Sequence, residues 1–336
     1  MEPVSIVIPT FNRRELLRHT LDSVFAAISA VDEVVVLDDG STDQTSELIT
    51  QVEKNCPGKL RYVPVEHVGV GRSHNLGIEA ATHDLIAFAD SDDIWLPHRL
   101  LLQRPLMEFD RELVFSFTNF GQLMPDGETV PNWLVKWTED HRSWEEILAP
   151  GVTFKDGWPQ LVAVANRELS STLVHVGSMY RQELHTNYVN VNTLMVRRSL
   201  VGAALRFGEN LTRYADWECY ARIARLGKCA YLDLDTALQR THSGLRLTQS
   251  GQLKAMQARV TLIERTWAQD PQFVQQYGPE LSELLSTLQR RILRAQIRHN
   301  LRDDASKQLA KVPGALIERL LLMVPYGILK RVMGWT

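Results

Sequence analysis

The chain has little cysteine: three in 336 residues, Cys56, Cys219 and Cys229, with no spacing used by metal sites or redox pairs. That excludes a disulfide scaffold and a thiolate metal centre, and it suits indifferent or buried thiols in a reducing compartment. Neither charge is in excess. Lys and Arg total 37 against 40 Asp and Glu, a formal net charge of −3, so no global basic field points to nucleic acid. No uncharged apolar run approaches the roughly 18 residues needed to cross a bilayer. The first apolar run, Val4 to Ile8, follows Glu2 and Pro3 and is closed by Pro9, which is not the layout of a secretory signal. Internal repeats and low-complexity tracts are also missing. With 44% hydrophobic and 23% charged residues, disorder is excluded, and the expectation is a soluble, cytoplasmic chain with one large core, or one core plus an appendage.

What is present is an alternation of two periods. Val4 to Ile8, Val34 to Leu37, Leu60 to Val65 and Leu85 to Ala89 are short apolar runs. Between them Arg13 to Ala30, Thr42 to Val52 and Val70 to Ala81 carry helical spacing. Strands apolar throughout and separated by helices predict an α/β fold, a parallel sheet covered on both faces. Such sheets bind ligands at the carboxyl ends of their strands. The middle, roughly 118 to 187, is rich in tryptophan and turn signals and reads as an insertion with loops. It is either one wall of a pocket or a structural excursion. Alternation returns over Tyr188 to Val196, a helix is expected from Asp216 to Leu226 with Gly227 as its C-cap, and Tyr231 to Arg240 suggests one or two strands. From about Gly251 the pattern is helical, with Leu281, Leu284, Leu285, Leu288, Ile292 and Ala295 on one face and Arg291, Arg294 and Arg298 on another.

Polar clusters sit at the strand ends. Asp90-Ser91-Asp92-Asp93 closes a buried run with three carboxylates, which calls for a cation, a helix N-terminus or an arginine partner. A hard divalent ion fits, and so does a solvated turn that caps the next helix. In Asp38-Asp39-Gly40-Ser41-Thr42-Asp43 the glycine and hydroxyls suit a turn and a helix cap, while an aspartate could accept from a base or ribose. Gly69-Val70-Gly71-Arg72 opens a helix, where N–H groups favour anions, though its glycines match neither phosphate-loop fingerprint. Asp216 suits a helix N-cap, the reading its spacing favours, or a general base. His242, in Arg240-Thr241-His242, reads as structural on its own.

Together Val7-Ile8-Pro9-Thr10-Phe11-Asn12-Arg13, Leu37-Asp38-Asp39-Gly40-Ser41-Thr42-Asp43, Arg72-Ser73-His74-Asn75-Leu76-Gly77 and Phe88-Ala89-Asp90-Ser91-Asp92-Asp93 resemble a family 2 glycosyltransferase of the GT-A fold. The resemblance covers about 4 to 100 and resumes from about 187 to 247. It implies an inverting enzyme with a nucleotide-sugar donor, UDP first among the nucleotides, and a divalent metal, Mn²⁺ or Mg²⁺. Carried over by position, Asp39 would contact uracil and ribose, and Pro9, Thr10 and Asn12 would line the nucleotide pocket. Arg72 would lie near the base or diphosphate, with Asn75 and Ser91 also on the substrate side. Asp90 would approach the ribose or the metal's waters, Asp92 the metal itself, and His242 the metal or diphosphate. Asp216 falls at the catalytic base, which the family usually places in a Glu-Asp pair; here Ala215 precedes it.

The implied layout is a catalytic domain over 1–250, with a nucleotide-sugar half to 117 and an acceptor-side half after it, then a helical extension over 251–336. The acceptor class is a glycan or lipid-linked hydroxyl, in bacterial surface polysaccharide or lipopolysaccharide assembly. The segment from Ala315 to Trp335, with Lys330 and Arg331, suits a membrane interface, which would put the protein on the inner face of the membrane. Packing on the catalytic domain or on a second subunit is the other reading. Two rival functions remain: a non-catalytic sugar-nucleotide-binding or scaffold protein, and a nucleotidyltransferase, which would need a triphosphate loop that Pro9 to Arg13 does not supply.

Overall fold

The computed structural model describes residues 1–138, 140–162, 169–211, 213–241 and 251–333. The chain divides into two compact units, Met1–Asn210 with Ala215–Gly244, and Leu211–Tyr214 with Leu245–Thr336.

In the first unit β1 (Val4–Thr10), β2 (Glu33–Asp38), β3 (Leu60–Pro64) and β4 (Leu85–Phe88) alternate with α1 (Arg14–Ala27), α2 (Thr45–Asn55) and α3 (Val70–Ala80). These four strands are parallel in the order β3-β2-β1-β4. β1 is buried along its whole length. Leu17, Leu21 and Val24 of α1 fall on one stripe and are buried. Gly77 of α3 lets that helix lie on β1: a Cβ there would be 2.4 Å from Val7 Cγ1.

The sheet then turns mixed. After β5 (Ile94–Trp95) and α4 (Gln103–Phe109) come β6 (Phe115–Leu123), β7 (Thr129–Val130), α5 (Trp133–Thr138), α6 (Trp144–Ile147), β8 (Val152–Thr153), α7 (Phe154–Gly157), β9 (Leu173–Gly177), β10 (Met195–Arg197), α8 (Arg198–Val201), α9 (Ala215–Ala224) and β11 (Cys229–Arg240). The full order is β3-β2-β1-β4-β10-β6-β11-β9-β8, with β5 on β11 and β7 on β6. β10 runs antiparallel to β4 and β6, and β6 runs parallel to β11.

Four expectations change. The irregular middle opens with β6, a long buried strand whose Ser116, Thr118 and Asn119 disguised it as loop. Only Met195–Arg197 of the alternating stretch pairs as strand, because Asn190 and Asn192 bind nearby backbone and acids instead. α9 begins one residue before Asp216, so that carboxylate lies inside the first turn and is not the N-cap. Gly227 is not a left-handed cap, since its φ is not positive; a Cβ there would meet Val114 Cγ1 at 2.9 Å, so close packing explains it.

His74 of α3 is sealed in this core. Its Nδ1 donates to Val70 O at 2.9 Å, its ring stacks on Phe207 at 4.2 Å, and Nε2 is buried without a hydrogen bond among the described residues. Burial pushes its pKa down to about 4. The unfolded chain therefore takes up a proton that the folded chain refuses. Stability from this group is complete above the ordinary histidine range and falls between about pH 6.5 and 4, by about 1.4 kcal/mol per pH unit. His74→Phe, which keeps the stacking, is expected to flatten that acid limb in urea melts. An unchanged limb would assign the acid sensitivity elsewhere.

The second unit is helical: α10 (Gln252–Arg265), α11 (Pro271–Arg298), α12 (Arg302–Leu309), α13 (Leu316–Met323) and α14 (Tyr326–Val332). Asp270 caps α11 through the N–H groups of Gln272 and Phe273. Leu281, Leu288 and Ile292 of the expected apolar face are buried. Leu293, Ile297, Ala305, Val312, Ala315 and Leu329 form a small core of their own. Among the described residues no helix is long and apolar enough to cross a membrane.

Candidate active site

Because β2, β1 and β4 are neighbours and parallel, the loops that follow them emerge side by side. Pro9 and Thr10 end β1, both buried, and Thr10 Oγ1 makes no hydrogen bond among the described residues. Asn12 takes a left-handed φ of 50°, which asparagine tolerates. Its Oδ1 accepts from Thr42 N at 2.8 Å and its own N–H donates to Ser41 Oγ at 2.9 Å, stitching the first loop to the second.

Asp39 is buried, and its carboxylate accepts the N–H groups of Val68 at 2.6 Å and Gly69 at 3.0 Å. His67 Nδ1 is 3.0 Å from it, and the His67 ring lies 4.4 Å from that of Phe11. The anion held just before α3 is thus the protein's own. Gly71 is required by packing: a Cβ there would be 2.4 Å from Gly208 O. Asn75 receives Phe207 N at 2.7 Å and donates to Phe207 O and Glu209 Oε1 at 3.0 and 2.9 Å. It holds the loop after Phe207. Arg72 lies 3.4 Å from the same glutamate and is partly exposed.

The acidic loop after β4 is the centre. One carboxylate oxygen from each of Asp90, Asp92 and Asp93 lies within 4.8 Å of the others. At that spacing two charges repel by roughly 3 kcal/mol at an effective dielectric of about 20. The loop handles this unevenly. Asp93 is fully engaged, accepting from Arg240 N at 2.8 Å and Asn192 Nδ2 at 2.7 Å. Asp92 meets Arg13 Nη1 at 2.9 Å. Asp90 is pushed up to about 7, by burial first, then by the charge of Asp92 and that of Asp216; Arg13 opposes the rise. Ser91 Oγ is buried with no hydrogen bond among the described residues. The donor set is all oxygen, incompletely neutralised and at the mouth of a parallel sheet, which fits a hard divalent cation on Asp90 and Asp92.

Sequence reasoning missed the supports of this loop. Asn192, just before β10, accepts Asp90 N at 2.6 Å and reaches both Asp90 and Asp93 with its amide nitrogen. Arg99, fully buried, donates to Asn192 O at 3.0 Å and Leu194 O at 3.1 Å, and burial lowers its pKa to about 9. Arg13 stood in a quoted motif without a role. Glu183 is fully buried; its backbone O accepts from Trp217 Nε1 at 2.8 Å. Burial, together with the charge of Asp216, raises its carboxyl well above the ordinary range. The negative charge of Asp216 also reaches the buried Tyr220, which lies one turn on in α9 and feels Asp90 and Glu183 as well. His242 lies outside the described residues.

A family model for glycosyl transferase family 2 matches residues 5–185, more than half of the chain. The chain belongs to glycosyl transferase family 2. It is 31% identical over 132 residues to the putative teichuronic acid biosynthesis glycosyltransferase TuaG of Bacillus subtilis, covering 39% of this chain and 52% of that protein. The alignments with the curated relatives span about half of their length or less. Among solved structures, S. aureus TarS with UDP-GlcNAc superposes with a TM-score of 0.56 at 19% identity, over 86% of this chain and 71% of that one. The Pyrobaculum calidifontis mannosyltransferase PcManGT, with GDP-Man and Mn²⁺, gives 0.54 at 16% identity, over 99% and 84%. These likenesses establish the GT-A type of fold: the parallel half, the mixed half and the helices that follow.

Proposed function

We propose that this family 2 glycosyltransferase moves a sugar from a nucleoside-diphosphate donor to an acceptor hydroxyl with inversion at the anomeric carbon. One observation carries the reading. Asp216, distant in sequence, adds its charge to that of Asp92 on Asp90, so the base candidate and the acidic loop share one poorly solvated region. Sites of acid–base chemistry separate the proton affinities of neighbouring carboxyls in this way.

In this reading Asp216 takes the proton of the acceptor hydroxyl as its oxygen attacks the anomeric carbon. The bond from that carbon to the diphosphate oxygen breaks, and its electron pair leaves with the nucleoside diphosphate. Glu183 is buried nearby, and its carboxyl is raised by burial and by the charge of Asp216. A divalent ion held by Asp90 and Asp92 would neutralise charge on the leaving diphosphate. Arg13, 2.9 Å from the Asp92 carboxylate, would orient it for that role. Thr10, Asn12, Asp39 and Arg72 line the nucleotide side. Asp39 keeps capacity for a base N–H, because a carboxylate has about four acceptor sites and the backbone of Val68 and Gly69 takes two. UDP is the first nucleotide to try, GDP the second. The likeness to TuaG favours an acceptor in a surface polysaccharide.

A donor screen with and without Mn²⁺, scored by free nucleoside diphosphate, tests this. One donor should be turned over in a metal-dependent way; turnover of none would overturn the proposal. Asn192→Ala carries a second expectation. Losing a hydrogen-bond partner of the ligating carboxylates should weaken Mn²⁺ binding about 10- to 100-fold. Calorimetric titration reads this directly, and an unchanged affinity would remove Asn192 from the site.

A further inference from the structure

The strongest unexplained surface lies in the second unit, on α13. This helix exposes a second apolar face besides the one it packs on the small core. Its acid, Glu318, is 1% exposed and meets Arg294 of α11 at 2.8 Å. Leu321 and Leu322 pack on the small core, but four large apolar residues face outward: Leu316 at 70%, Ile317 at 64%, Leu320 at 63% and Met323 at 72% exposed. At 100° per residue these four share one arc, with Arg319 at its edge. After Pro325, α14 continues the pattern with exposed Ile328, Val332 and Met333 beside Lys330 and Arg331. A helix that buries its glutamate and exposes four large apolar side chains is built to be covered.

Charge indicates by what. From Lys311 to Met333 the only acidic residue is Glu318, which faces inward, while Lys311, Arg319, Lys330 and Arg331 are exposed. Next to α13, a cleft of about 390 Å³ on α11 is lined by Arg290, Arg291 and Arg294 with Ser286, Thr287 and Glu283. Arg290 Nη2 also donates to Pro313 O at 3.2 Å, just ahead of α13, and Arg294 holds Glu318, so the arginine row and the apolar helix are braced together. A second copy of the chain meeting this face about a two-fold axis would oppose arginine and lysine with arginine and lysine, and such like-charge contacts are disfavoured. Apolar side chains rimmed by exposed cations suit a surface that is oily within and anionic at its boundary.

We propose that the outward face of α13 and α14 docks on an anionic phospholipid membrane. Leu316, Ile317, Leu320 and Met323 enter the acyl boundary, and Arg290, Arg291, Arg319, Lys330 and Arg331 meet the headgroup phosphates.

The full chain is co-sedimented with vesicles of phosphatidylcholine alone and with vesicles containing roughly one quarter phosphatidylglycerol. Binding is expected to the anionic vesicles, to fall with added salt, and to be weak on phosphatidylcholine. The double variant Leu320→Glu, Met323→Glu should lose at least about tenfold in partitioning. The variant Arg319→Gln, Lys330→Gln, Arg331→Gln alters exposed charge alone and keeps the test decisive should the first variant unfold. Each removed charge is expected to cost about fivefold. Absence of anionic-vesicle binding, or binding by both variants as strong as that of the parent chain, would overturn the proposal. So would a concentration-dependent dimer that Leu320→Glu dissolves, since the face would then be a contact between copies.

Discussion

Asp216→Asn is expected to lower turnover by about 10²- to 10⁴-fold, the usual contribution of a positioned general base. Donor affinity should stay within about threefold, because the proposal gives Asp216 a role on the acceptor side and none on the nucleotide. The comparison of kcat with donor Kd, by product formation and calorimetry, separates this from misfolding. It also separates an enzyme from a sugar-nucleotide-binding scaffold, whose function would ignore the change. Transfer within tenfold of the parent would falsify the assignment of Asp216 as base.

Asp92→Asn is the second large effect. It removes one of the two acids proposed for the cation and strips Arg13 of its carboxylate at 2.9 Å. Mn²⁺ affinity should fall at least about 10-fold, with metal-dependent release of nucleoside diphosphate falling alongside it. A different readout follows from charge alone. Asp90 is pushed up to about 7 by burial and then by the charge of Asp92, so in metal-free protein the substitution should bring the Asp90 pKa down. Carboxyl NMR titration would detect that movement; an Asp90 that stays near 7 would mean that burial and Asp216 set it without Asp92.

The parallel half was legible because each strand ends in an abrupt change from apolar to polar. Val4 to Ile8, Val34 to Leu37, Leu60 to Val65 and Leu85 to Ala89 all became β1 to β4 with shifts of one or two residues at their ends. The clusters after them were legible for the same reason. β6 was not, because a strand buried between others can satisfy Ser116 and Thr118 internally, as Gln103 and Thr236 do here. The supports of the acidic loop were not legible either. Asn192 lies 102 residues from Asp90, and nothing local marks an asparagine that holds two aspartates. Nothing local marks Arg99 either, since the carbonyls that accept its N–H groups, Asn192 O and Leu194 O, come from the segment just before β10. Asp216 looked like a helix cap because one residue decides between a cap and the first turn, and sequence does not fix helix ends that finely.

The placement of β10 between β4 and β6 has a consequence for synthesis. Asp90 and its neighbours are translated long before Asn192, yet they depend on it for their geometry. A nascent chain stopped after the parallel half would carry every acid of the loop and still lack the brace that aims them. The final arrangement of the acidic loop would therefore be reached late in translation, once the strand inserted from downstream has closed the gap in the sheet.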